Sequence, residues 1–85
     1  MKEFEGLMPF HSELIPTEQG AVLCLLNDES VEQVLTWLGF NDLHSTTNPH
    51  GGRSKRRFFQ GNYNEKQWLV KEINATAWQI ILLDH

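Results

Sequence analysis

An unbroken apolar stretch, Ala21 to Leu26, lies between Gly20 and the pair Asn27-Asp28. A short run of this kind without polar alternation predicts a central strand buried on both faces. The pattern then changes period. Val31, Val34, Leu35 and Leu38 fall at i, i+3, i+4 and i+7, which is one face of a helix. Asn27, Asp28 or Ser30 is available as its cap, and acids occupy the first turn, where the helix dipole favours them. Gly39 supplies a left-handed C-terminal residue and Phe40 is placed to fold back on the last turn. The predicted helix covers about residues 28–38.

Either side of this unit the pattern is less regular. In residues 1–20, Gly6, Pro9, Pro16 and Gly20 leave space only for turns or a very short strand, so an irregular arm is expected. The arm carries Phe4, Leu7, Met8, Phe10, Leu14 and Ile15. Burying each such side chain stabilises by about 1.5–3 kcal/mol, so the arm is expected to pack on the core or on a partner. Residues 41–52 are rich in Asn, Ser, Thr and Gly and read as a long loop. Residues 53–60 read as a strand ended by Gly61-Asn62.

The last third fits three readings. The favoured one is a short helix over residues 64–74, with Asn64 as cap and Leu69, Val70 and Ile73 on one face, followed by a strand ending near Leu83. A hairpin pairing 67–73 with 77–83 and turning at Asn74-Ala75-Thr76 also fits. So does a single helix with a stripe of Leu69, Ile73, Ala77, Ile80 and Ile81. Together the elements predict an α+β fold in a single domain, residues 1–85, with the arm at 1–20 and the core at 21–85. The expected architecture is a small, mostly antiparallel sheet of three or four strands with one or two helices packed on one face.

Length supports the single core, since 85 residues leave no room for a second. A core this small gains from self-association, and a homo-oligomer is expected. Charge is unevenly laid out. Residues 1–52 hold one base, Lys2, against eight acids, for a net of −7, while residues 53–57 contribute +4 and residues 58–85 contribute −1. Seven bases in all are too few to line a duplex groove, where each neutralised phosphate adds affinity by releasing counterions.

Four of those bases, Arg53, Lys55, Arg56 and Arg57, stand between Gly51-Gly52 and Phe58-Phe59. This cluster is a candidate anion or nucleic-acid site, with Phe58 or Phe59 stacking on an unpaired base. Its structural counterpart is an edge strand guarded by positive charge against edge-to-edge pairing. Trp37 lies off the main stripe of its helix and is a candidate partner contact.

Other chemistry is scarce. His11, His44, His50 and His85 show no i, i+4 pair and there is no Cys-x-x-Cys, so no metal site is predicted. Cys24, flanked by Leu23 and Leu25, reads as a small buried hydrophobe that no base activates. As the one cysteine, it allows no intrachain disulfide. Neither a Gly-x-Ser-x-Gly elbow nor a phosphate-binding glycine loop is present, and no catalytic residue or cofactor is predicted.

With no signal-peptide pattern and no apolar run near the ~18 residues that span a membrane, the expected location is cytoplasmic. The sequon at Asn74 and the basic stretch at 53–56, which has the look of a processing signal, would then go unused. The leading expectation is a small non-enzymatic interaction protein, homo-oligomeric, that binds another protein through its arm and helix rim. Nucleic-acid or anion binding through residues 53–57 comes second. A small enzyme with a pocket between subunits comes third, without a motif to support it.

Overall fold

The computed structural model describes residues 4, 12–26, 29–46 and 56–83. Its elements are β1 (Glu13–Pro16), β2 (Gly20–Cys24), α1 (Val31–Leu38), β3 (Asn41–Thr46), β4 (Phe58–Tyr63), β5 (Lys66–Glu72) and β6 (Ala77–Leu82). All six strands belong to one sheet in the order β1-β2-β6-β5-β4-β3, and every neighbouring pair is antiparallel. The chain makes a hairpin, crosses by way of α1 to the far edge, and returns as a four-strand meander until β6 lies beside β2.

The helix forms much as its spacing predicts. Ser30 is the N-cap residue, extended and without a side-chain cap bond, and Gly39 adopts φ 116°. The Phe40 N–H donates to Leu35 O at 3.0 Å and the Gly39 N–H to Thr36 O at 3.1 Å, which satisfies carbonyls that a helix end otherwise leaves open. Val31, Val34 and Leu35 enter the core and Phe40 follows them.

The core occupies one face of the sheet. Alternation along the strands sends Ala21 and Leu23 of β2, Trp78 and Ile80 of β6, Trp68 and Val70 of β5, and Phe59 of β4 toward α1. Phe4 is 1% exposed and sits among aromatics, 5.3 Å from the Tyr63 ring and edge-on to Trp68 at 5.0 Å. Tyr63 in turn stacks on Phe40 at 4.9 Å. Phe4 is thereby held in the core beside the end of α1.

Several expectations are overturned. The sheet has six strands rather than three or four and carries one helix, so that 55% of the described residues are strand and 13% helix. Within residues 1–20, where the spacing leaves space for a very short strand, Glu13–Pro16 is a four-residue strand paired with β2. The stretch from Ala21 is neither central nor buried on both faces. It is second from an edge, its burial alternates, and Cys24 is half-buried on the face away from the helix.

Residues 41–46 are an edge strand instead of a loop, since β4 supplies backbone partners that their polar side chains do not advertise. Strand β4 begins at Phe58 and runs through Gly61, which faces Trp68 across the ladder and lies against the Leu43 side chain. Residues 64–74 are not a helix. Asn64 and Glu65 take φ 53° and 64° and form the two-residue turn that a right-twisted hairpin favours. That turn sets Trp68 and Val70 on the core face. The hairpin of β5 and β6 does turn at Asn74-Ala75-Thr76, where Asn74 Oδ1 accepts from the Thr76 N–H and the Ala77 N–H, each at 2.9 Å.

The two sheet edges are blunted by their own chemistry. Strand β1 ends in Pro16, which has no N–H to offer, and β3 carries a register shift between Asn41 and His44 with Asp42 at φ 52°. Of the basic stretch, the described residues Arg56 and Arg57 lead into β4, which lies between β3 and β5 and is not an edge strand.

Candidate interaction surfaces

Of the four clustered bases, Arg53 and Lys55 fall outside the described residues, while Arg56 and Arg57 precede β4 and are exposed. The Arg57 guanidinium is already engaged. Its Nε and Nη2 donate to Glu72 Oε2, both at 3.3 Å, and its backbone N–H donates to Glu72 Oε1 at 3.2 Å. The same group lies 5.1 Å from the centre of the Trp78 ring, within cation–π range. Arg57 thus closes the end of the hydrophobic layer over Trp78, and Glu72 offsets its charge.

Phe58 and Phe59 follow it directly. As consecutive strand residues they point to opposite faces, and they are 5% and 7% exposed. Phe59 packs 5.6 Å from Trp78. A nucleic-acid base could stack on either ring only after that ring left its packed position, so the stacking half of the basic-site expectation has no open ring to use.

Trp37 is placed differently. It projects from the outer side of α1 and is 55% exposed, whereas Trp68 and Trp78 are fully buried. Its neighbours on that side, Glu32, Gln33 and Thr36, are exposed too. The inner side of the helix is fixed by Val31, Val34 and Leu35, which makes α1 a rigid mount. Leu26, where the chain leaves β2, is 53% exposed.

A polar hollow lies where β3 begins and the β4–β5 hairpin turns. Its volume is about 430 Å3 and it is lined by Asn41, Asn62, Tyr63, Glu65, Lys66 and Gln67. Beside it Asn62 Nδ2 donates to Asp42 Oδ2 at 3.2 Å, and His44 Nδ1 lies 2.9 Å from Asp42 O. The lining offers hydrogen-bonding groups. Sequence reasoning missed this group because residues 41–46 carry no strand signal.

Among the described residues, no group of three His, Cys, Asp or Glu side chains could hold a metal ion. No helix among them is long and apolar enough to cross a membrane. In comparisons with known proteins, the chain matches no family model, no curated protein and no solved structure.

Proposed function

We propose that this chain is a non-enzymatic binding protein that captures another protein on its helix side, with Trp37 as the anchor. The observation that carries this reading is the exposure of Trp37 on the outer side of a capped helix locked into the core. The exposed part of the indole, 55% of the residue's surface, is apolar area that a partner can still bury, and a rigid mount loses little entropy on binding. Tryptophan is among the residues that most often dominate interface energetics. Glu32 is the acid on the exposed side of α1, which suits a partner with an apolar slot and a neutral or basic rim.

A photo-crosslinking residue placed at position 37 is expected to give a discrete adduct with one protein in the cells that make this chain. The same residue placed at Ala75, in the exposed turn at the other end of β5, is expected to give none. Equal, diffuse labelling from both positions would refute the reading.

Anion binding near Arg56 and Arg57 is the second proposal, reduced to electrostatics by the burial of both phenylalanines. It predicts retention on heparin that falls in the double variant Arg56→Gln/Arg57→Gln, the salt slope dropping by about one for each lost phosphate contact.

A further inference from the structure

The sheet has a second face, turned away from α1. On β1, β2, β6 and β5 it presents Ile15, Val22, Cys24, Leu69 and Ile81, as strand alternation and register require. Ile15 is 49% exposed and Val22, Cys24 and Ile81 are half-buried, while Leu69 at 8% and Phe58 of β4 at 5% are buried, so the open part of the face lies toward β1, β2 and β6. Among the described residues, no helix or strand lies across this face. Its charge content is low. These four strands place two charged side chains on it, Glu13 and Lys71, and depletion of charge is what marks the centre of an interface.

We infer that this face binds a second copy of the chain, sheet against sheet, with Glu13 of each copy paired to Lys71 of the other. The two charges are opposite in sign, and neither forms an ion pair with a described residue. Their positions suit a two-fold arrangement. Glu13 shares a row with Cys24 and Ala77, while Lys71 shares the next row with Gln79, Val22 and Ile15.

Strands β1 and β5 are three strand spacings apart, about 14 Å. A two-fold axis lying in the interface and bisecting the line from Glu13 to Lys71 passes between β2 and β6. Rotation about it sets each Glu13 over the other copy's Lys71, as an isologous contact demands. Val22 and Ala77 then lie nearest the axis, with Cys24 and Gln79 beside them. A head-to-tail stacking lacks this double exchange and leaves one charge of each sign unmatched.

The four strands that this axis overlays, at about 4.8 Å spacing and about 17 Å length, give a footprint of roughly 330 Å2 per copy. That is below the usual size of a stable interface, so the dimer is weak and depends on protein concentration. This inference is independent of Trp37, which lies on the opposite side of the molecule.

Sedimentation velocity on the whole chain tests it by charge reversal. The wild type is expected to move from monomer to dimer as concentration rises through the micromolar range. Glu13→Lys and Lys71→Glu are each expected to raise the dimer Kd at least tenfold, and the combined reversal to restore dimerisation. Wild type that stays monomeric at high concentration would overturn the inference. So would a dimer indifferent to either reversal, or one that the combined reversal fails to restore. A measurement on the wild type alone guards against misfolded variants. The labelling rate of Cys24 is expected to fall at least threefold as the dimer forms, and a rate unchanged by dimerisation would overturn the inference.

Discussion

Trp68 and Trp78 are both fully buried, yet among the described residues only the Trp68 indole has a hydrogen-bond partner, so replacing each by Phe separates bonding from packing. Trp68 Nε1 donates to Tyr63 O at 2.9 Å. Trp78 Nε1 is buried with no partner among the described residues. Both substitutions remove the same ring volume, and that cost largely cancels in the comparison.

Trp68→Phe also loses a hydrogen bond, worth about 0.5–1.5 kcal/mol net. Trp78→Phe removes an unsatisfied donor, whose desolvation costs about 1–3 kcal/mol, and gives up part of the contact with Arg57, worth about 0.5–1 kcal/mol. Trp68→Phe is therefore expected to be the more destabilising by about 1–3 kcal/mol. Urea titration followed by far-UV circular dichroism checks it. With a denaturant slope of about 1 kcal/mol/M for a small domain, the two midpoints should stand about 1–3 M apart. Equal midpoints, or a lower one for Trp78→Phe, would refute the reasoning.

Phe4→Ala is expected to cost about 3–5 kcal/mol, measured in the same titration, because the ring is 1% exposed against Tyr63 and Trp68. Gly20→Ala is expected to cost more than about 2 kcal/mol, read as a fall in thermal midpoint, since Gly20 has φ 156° and an added Cβ would meet the Ile80 carbonyl oxygen. Arg57→Ala is expected to cost only about 1 kcal/mol. Its ion pair is largely exposed on the arginine side, at 62%, so raising the salt concentration should shrink that cost.

Where side chains decide the structure, the sequence was readable. The stripe from Val31 to Leu38, closed by Gly39 and Phe40, located α1 with only its first turn overextended. The hairpin of β5 and β6 was among the readings of the last third, although a helix was favoured there. Leu69, Val70 and Ile73 suit a helical stripe, and only the Asn64-Glu65 turn together with strands on both sides makes the alternation of Trp68 and Val70 decisive.

Backbone pairing left no such trace. Strand β3 is a polar edge strand held by β4, and β1 is four residues ending in proline, so neither shows the apolar alternation by which strands are read. Apolar neighbours make Cys24 read as a buried residue. The run around it belongs to a strand with one covered face, and Cys24 points to the other. At the candidate site the off-stripe position of Trp37 marked it out. The burial of both Phe58 and Phe59, one on each face, could not be read from their position beside the bases.

Binding of the protein captured at position 37 to the wild type and to Trp37→Ala, together with the unfolding free energy of both, tests the proposed function most directly. An anchor of this kind carries at least about 2 kcal/mol. The variant should therefore bind roughly thirtyfold more weakly by titration calorimetry, while its stability stays within about 1 kcal/mol of the wild type. Affinity changed less than threefold, or a stability loss above about 2 kcal/mol that accounts for the lost binding, would contradict it and return Trp37 to a structural role.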